Sequence, residues 1–183
     1  MALNIGIEKI EKKLSQREKQ LDTVLLETRK VVRYCSNAIK AMHAYELTEA
    51  KKNLAEADKA LKMLSEHHKQ FPSQLNHVYQ EYAEARIVLS VIELKKIPGY
   101  VQLQVPEIPY LLGLLDAVGE LKREMYESLR RGNKHEAGFY FKMMEEIYDE
   151  LLPLRFSNAV LPEFRKKQDV ARIQIEQARG ELL

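Results

Sequence analysis

Residue types that interrupt or cross-link a chain are scarce in this sequence. Its 183 residues include one cysteine, no tryptophan, seven glycines and six prolines. A single cysteine excludes an intrachain disulfide and is typical of a reducing compartment, which predicts a cytoplasmic location. Because glycine and proline are the usual breaks in regular structure, their scarcity favours long helices.

Long hydrophobic runs and an excess of one charge are also missing. No stretch reaches the roughly 18 apolar residues of a membrane-spanning helix, and the N-terminus lacks the apolar core of a secretory signal. The net charge is only +2, although 31% of the residues are charged. Nucleic-acid binding would therefore depend on a local basic face. The length and the 45% hydrophobic fraction predict one soluble globular domain over 1–183 and no membrane partner.

Apolar residues recur at helical spacing along most of the chain. Ile7, Ile10 and Leu14 begin a series that continues to Met42, which predicts an unusually long first helix. The predicted helices cover about 5–45, 48–70, 74–96, 106–131, 133–152 and 163–182. Residues 100–105 alternate between apolar and polar, and we expect an extended connector because a single strand would have no partner. The sequence therefore predicts an all-α fold, an elongated antiparallel bundle of about six to seven helices.

Local capping signals support these boundaries. Asn133 is followed three residues later by Glu136, which resembles a capping box at the start of the predicted fifth helix. Gly132 immediately before it suits the end of the fourth helix.

Two pairs of acidic residues stand out from the other acids of the chain. Glu81 and Glu84 are three residues apart, and Asp116 and Glu120 are four apart, so each pair shares a helix face. Their neighbours at helical spacing are mostly apolar, and like charges so placed destabilise a helix unless something positive lies between them. A divalent cation would supply that charge. Ligands that are all oxygen favour Mg²⁺ or Mn²⁺ over zinc.

The same pattern has a simpler explanation. The acids could lie at the edge of the core and pair with lysine or arginine, since ion-pair networks also place acids near apolar faces. Arg123, three residues after Glu120, is one possible partner. His77, four residues before Glu81, could be a metal ligand or a partly buried helix histidine. A di-iron site is not indicated, because no glutamate stands three residues before a histidine.

Basic residues cluster on the predicted first helix. Arg29, Lys30 and Arg33 lie within five residues of one another. They could form a solvated surface, or they could contact phosphates. No motif that reads base sequence through interleaved aromatic residues is present, so we expect RNA to be recognised by its backbone and shape.

The segments around the acids resemble the translin superfamily, and translin-associated factor X more than translin. Residues 80–85, QEYAEA, resemble the motif Q-E-[FY]-V-E-A. Residues 109–121, PYLLGLLDAVGEL, resemble D-Y-L-L-G-x-x-D-L-T-G-E-L. This sequence departs from the first motif at Ala83, which stands in place of valine. It departs from the second at Pro109, in place of the initial aspartate, and at 117–118, where Ala-Val stands in place of Leu-Thr. Both motifs occur in order on consecutive predicted helices, which makes the resemblance more specific than either motif alone.

The resemblance implies a seven-helix fold, ring- or barrel-like oligomers that are commonly octamers, and RNA held inside them. It also implies a metal-dependent endoribonuclease site. All four acids of that site in translin-associated factor X have counterparts here: Glu81, Glu84, Asp116 and Glu120. The chain lacks the longer insertion expected between the third and fourth helices, which indicates a compact, prokaryotic type that assembles with itself. The length of the first helix also favours self-association.

The sequence thus predicts a Mg²⁺-dependent endoribonuclease (Mn²⁺ being the alternative metal) that cleaves single-stranded or short duplex RNA inside a homo-oligomeric shell. Two other functions remain open. One is a non-catalytic RNA- or DNA-binding scaffold of the translin type. The other is a helical interaction module whose acids only pair with basic residues.

Overall fold

Seven helices form the fold of the part of the chain that the structure describes. The structure is a computed structural model and describes residues 5–182. The helices are α1 (Ile7–His43), α2 (Leu47–Ser65), α3 (Pro72–Leu94), α4 (Tyr100–Leu103), α5 (Glu107–Arg130), α6 (Lys134–Leu151) and α7 (Phe164–Leu182). Within residues 5–182 there is no strand, which confirms the predicted all-α fold. None of the helices in this range combines the length and the apolar character that a membrane crossing requires.

The segment between α3 and α5 differs from its prediction as an extended connector. It contains the single helical turn α4, in which the amide of Leu103 donates to the carbonyl of Gly99 at 3.1 Å. The amide of Val105 then donates to the carbonyl of Tyr100 at 3.1 Å. Leu103 and Val105 are buried, whereas Val101 is 72% exposed, so two of the three alternating apolar residues face the core. A helical turn satisfies these backbone groups locally, whereas an isolated strand would leave them unpaired.

The second helix is shorter than predicted. It ends at Ser65, and residues 66–70 form turns in which the amide of His67 donates to Leu64 and that of Phe71 donates to His67. Phe71 is buried, and Pro72 occupies the first turn of α3. The amides of His67, His68 and Gln70 donate to carbonyls three residues back instead of four, which is the tighter turn that often ends an α-helix.

The central helices are α3 and α5. Helix α3 packs against α1, α2 and α5, and α5 also contacts α6 and α7. Helix α3 is buried on most of its sides, as expected for a helix with neighbours all round. The other long helices each bury one face. In α6, for example, the buried face includes Tyr140, Met144 and Ile147.

Gly113 lies where α5 crosses α3. A Cβ atom at this position would lie 2.8 Å from the backbone oxygen of Gln80 and 2.9 Å from the Cβ of Ala83. Only a residue without a side chain allows the two helix backbones to approach this closely. The contact places 80–84 of α3 beside 113–120 of α5, which is the stretch that carries the second acid pair.

The first part of α1 follows apolar helical spacing but is not buried by the other helices of its chain. Ile7, Ile10 and Leu14 are 56%, 51% and 60% exposed, and the first buried residue of α1 is Val24. The helix has 37 residues and is about 55 Å long at the usual rise of 1.5 Å per residue. It extends past the partners available in its own chain, because α2 and α3 have only 19 and 23 residues.

Candidate functional site

The four acids predicted as site residues line one pocket. Two come from α3 and two from α5: Glu81, Glu84, Asp116 and Glu120. The pocket has a volume of about 620 Å³, and another part of its wall comes from Glu163, just before α7, and from Lys166 and Lys167 in the first turn of α7. Helical spacing set the two acids of each pair side by side, and the close crossing at Gly113 brought the two pairs together.

Glu84 is the acid most affected by this arrangement. Burial raises the pKa of Glu84 to about 8, and the negative charges of Asp116 and Glu81 push it in the same direction. Burial likewise raises the pKa of Glu81, an effect that His77 opposes from 3.8 Å away. The pocket therefore disfavours its own negative charge and would gain from a bound cation.

Asp116 already has two polar partners. Gln80 donates a hydrogen bond from Nε2 to Oδ2 at 2.6 Å, and Lys167 of α7 donates from Nζ to Oδ1. The side chains of Asp116 and Lys167 are 23% and 29% exposed. Asp116 therefore pairs with a lysine from another helix, as in the alternative that the sequence left open, in which the acids pair with basic residues.

His43 is the partner of Glu120 and was not identified from the sequence. It is the last residue of α1, with Nε2 2.5 Å from Glu120 Oε2 and Nδ1 2.5 Å from Glu124 Oε1. Burial lowers the pKa of His43, but its hydrogen bonds to the two carboxylates outweigh burial and raise the pKa to about 9. The ring is therefore an imidazolium at neutral pH, and each nitrogen donates to a carboxylate.

One spacing in the sequence points indirectly to a partner such as His43. Glu120 and Glu124 lie four residues apart and share a face of α5. In the structure Glu124 is only 1% exposed, and a buried carboxylate needs a counter-charge. No feature of the sequence near Glu120 identifies His43 as its partner, because the two residues are 77 positions apart along the chain. The nearby Arg123, considered above as a partner of Glu120, is exposed.

The donor atoms of the pocket suit a hard divalent cation, but their present arrangement does not form a metal cluster. The four predicted acids supply only oxygen, which is the ligand type of Mg²⁺ and Mn²⁺. Within residues 5–182, however, no group of three or more His, Cys, Asp or Glu side chains is placed to hold a metal ion. Asp116 and Glu120 instead interact with Lys167 and His43.

A basic groove adjoins the carboxylate pocket. It lies between α1 and α3, has a volume of about 520 Å³, and carries Arg29, Arg33 and Lys40. His77 lines both the groove and the carboxylate pocket, so the two adjoin at this residue. Lys40 was missed in the sequence, although it follows Arg33 by seven residues and thus shares its helix face.

Lys30, the third basic residue predicted to contact RNA, lies outside this groove. Its Nζ is 2.6 Å from Glu27 Oε1 on the same helix. The structure therefore brings Arg29 and Arg33 together and separates Lys30 from them.

The similarity of this chain to known proteins extends over nearly its whole length. A model of the family described as the Translin family matches residues 6–178. An uncharacterised protein of Methanocaldococcus jannaschii is 31% identical over 174 residues, which is 93% of this chain and 78% of that protein.

Three similar solved structures share this helical arrangement. AfC3PO in a complex with duplex RNA has a TM-score of 0.90 and 27% identity, and covers 96% of this chain and 94% of its own. AfC3PO alone gives the same TM-score and coverage with 28% identity. The apo form of NeC3PO also has a TM-score of 0.90, with 23% identity over 100% of this chain and 98% of its own. At that identity the likeness to NeC3PO concerns the fold alone.

Proposed function

Since this chain belongs to the translin family, we propose that it is an RNA-binding homo-oligomer whose carboxylate pocket cleaves RNA with a divalent metal ion. The observation that carries the catalytic part is the meeting of four carboxylates in one pocket, where burial and mutual repulsion raise the pKa of Glu84 to about 8. Perturbed carboxylates of this kind cluster at functional sites.

RNA binding is supported by the basic groove and by a structural relative. AfC3PO, which shares 27% identity with this chain, forms a complex with duplex RNA. In this chain Arg29, Arg33 and Lys40 would contact RNA phosphates along the groove that leads to the carboxylates. Such contacts bind the backbone without reading the bases.

Self-association is supported by the exposed apolar row at the start of α1. Ile7, Ile10 and Leu14 are each more than half exposed, and contiguous exposed apolar surface is typical of protein–protein contacts. The resemblance to translins favours an octamer. Native mass spectrometry measures the subunit number directly, and a monomer would contradict this part of the proposal.

In the proposed reaction the chain orients its ligands and the RNA. Glu81, Glu84, Asp116 and Glu120 would hold Mg²⁺ or Mn²⁺, which when bound supplies a water of lowered pKa and neutralises charge on the phosphate. His43 fixes the orientation of Glu120 through its hydrogen bond to Oε2. The groove would hold the strand so that one phosphate enters the pocket.

The experiment that tests cleavage compares metal with chelator. Purified protein is incubated with end-labelled RNA in Mg²⁺, in Mn²⁺ or in EDTA, and binding is measured in parallel by fluorescence anisotropy. We expect EDTA to stop cleavage and to leave binding in place. Asp116→Ala, purified identically, is the control for contaminating nuclease. Cleavage that resists EDTA, or that persists unchanged in Asp116→Ala, would contradict the proposal.

The non-catalytic scaffold is the second candidate, and one observation favours it. Asp116 and Glu120 are already paired with Lys167 and His43, so half of the acids have a counter-charge without a metal. In that case the same experiment would show RNA binding with no cleavage in either metal.

The basic groove yields a separate prediction. The double variant Arg29→Gln/Arg33→Gln is expected to weaken RNA binding about tenfold for every sequence tested, because phosphate contacts are lost. The slope of log affinity against log salt should fall by roughly 1.4–1.8, or about 0.7–0.9 per lost contact. Both quantities come from anisotropy titrations in EDTA over a range of salt concentrations.

Lys30→Gln is the matched control, because Lys30 lies on the same helix but outside the groove. We expect its affinity and salt slope to stay close to those of the unmodified protein. A loss confined to certain RNA sequences, or an equal loss in Lys30→Gln, would contradict the assignment of the groove.

A further inference from the structure

Lys167 places a positive charge among the carboxylates. Its Nζ donates a hydrogen bond to Asp116 Oδ1. Burial raises the pKa values of Glu81 and Glu84, and the positive charge of Lys167 opposes that rise in both. It reaches these acids from α7, whereas they belong to α3 and α5. One ammonium group thus interacts with three of the four acids proposed to bind metal.

The backbone at Lys167 is held in place by its neighbours on α7. Phe164, Gln168 and Ala171 are buried, and Gln168 Nε2 donates to the backbone oxygen of Leu151 at 3.1 Å. The stem of Lys167 therefore starts from a fixed point at the pocket wall. Its flexible aliphatic chain leaves the ammonium group free to change partners.

Lys166 provides an internal comparison. It lines the same pocket, but its side chain is 81% exposed and its nearest carboxylate is Glu163, 4.0 Å away at the start of the same helix. The two lysines carry the same charge at nearly the same place. Of these two lysines, only Lys167 forms a hydrogen bond with an acid of the predicted site.

We propose that Lys167 takes the place of a metal ion in the metal-free pocket. Its ammonium group forms an ion pair with Asp116, releases Asp116 when a divalent ion binds, and then contacts the RNA phosphate. This inference rests on the proposed function, because it assigns a role to Lys167 within that same site. It accounts for four carboxylates lining one pocket while no three acidic, histidine or cysteine side chains in residues 5–182 are placed to hold a metal. Lys167 holds the Asp116 oxygen that such a group would use.

The proposal predicts effects of opposite sign on two measurements. Without Lys167, Asp116 loses a competitor for its oxygen, so divalent metal should bind more tightly. The RNA phosphate loses a positive contact, so cleavage at saturating metal should become slower. If Lys167 had a purely structural role, its replacement would loosen the pocket. Metal binding would then weaken and cleavage would slow, so the two measurements would change in the same direction.

The test uses Lys167→Met in the full chain. Mn²⁺ binding to EDTA-treated protein is followed by electron paramagnetic resonance, and single-turnover cleavage is measured at saturating Mn²⁺. We expect the Mn²⁺ dissociation constant to fall about tenfold, the scale of one charge-assisted hydrogen bond. Cleavage should slow about tenfold or more. Lys167→Arg keeps the charge and should restore both values to within about threefold of the unmodified protein.

Arg165→Met is the matched control, because Arg165 is an exposed basic residue of α7 that does not line the pocket. It should change neither measurement by more than about twofold. Thermal melts establish folding, and Lys167→Gln replaces the methionine variant if the latter does not melt cooperatively. The inference is overturned if Lys167→Met binds Mn²⁺ no more tightly, if it cleaves at the original rate, or if Arg165→Met behaves in the same way. If the unmodified protein binds no Mn²⁺ or cleaves no RNA, the proposed function itself has failed.

Discussion

Replacing Glu84 with glutamine is expected to remove most RNA cleavage and, at pH 8, to stabilise the fold. Glutamine keeps the size of the side chain but cannot supply a carboxylate to a divalent cation. Cleavage should therefore fall by roughly 10²–10³-fold, the usual effect of losing one group that stabilises charge in a transition state. Single-turnover assays in Mg²⁺ measure this loss.

The stability effect follows from the raised pKa of Glu84. Its ordinary value is 4.5 and its value in the folded protein is about 8, so between these pH values the folded state binds more protons than the unfolded state. The stability that Glu84 contributes is fully present below pH 4.5 and is lost as the pH rises through 8. Glutamine does not ionise, so the variant avoids this loss. We expect it to be more stable at pH 8 by about 2–4 kcal/mol, allowing for partial solvent screening.

Thermal melts at pH 5, 6.5 and 8 test this prediction. The melting temperature of the Glu84→Gln variant should depend less on pH than that of the unmodified protein. Glu93→Gln is the control, because Glu93 lies on the same helix but pairs with Lys51 away from the pocket. The Glu93→Gln variant should cleave RNA at nearly the unmodified rate, and its melting temperature should differ between pH 5 and pH 8 by nearly the same amount as that of the unmodified protein. Persistent cleavage in Glu84→Gln, or an unchanged pH dependence of its melting, would be the opposite of what we expect.

Adding one methyl group at Gly113 is expected to destabilise the protein by about 2 kcal/mol. The new Cβ would lie 2.8 Å from Gln80 O, 2.9 Å from Ala83 Cβ and 3.1 Å from Glu84 N. Two of these three atoms belong to the backbone of α3, so the clash can be relieved only by moving the helices apart. The same movement would separate the two acid pairs, so cleavage should fall together with stability.

Gly138→Ala is the matched control for Gly113→Ala. Gly138 lies within α6, and a Cβ there would meet nothing within 4 Å. Alanine is a better helix residue than glycine, so this variant should gain roughly 0.5–1 kcal/mol. Urea unfolding measures both values. Equal stability of the two variants would show that the approach of α5 to α3 does not depend on Gly113.

Much of the local structure could be predicted because its causes lie within a few residues. Asn133 accepts a hydrogen bond from the amide of Glu136 at 3.1 Å, which confirms it as the N-cap of α6. The second bond of a capping box is not formed, because the amide of Asn133 donates to the carbonyl of Ser128. The long helices follow from apolar spacing and from few helix breaks. Helical spacing has a limit of its own: Ile7 and Leu14 follow it, but spacing does not say whether the partner that covers them belongs to the same chain or to a second copy.

The sequence alone determined that the chain is helical and that each acid pair shares one face, because helical geometry ties residues three and four apart to each other. It could not determine what neutralises those acids. Lys167 reaches Asp116 across 51 residues, and His43 reaches Glu120 across 77. Only the packing of α1, α5 and α7 decided these partners, because Coulomb and hydrogen-bond interactions depend on distance in space and not along the chain.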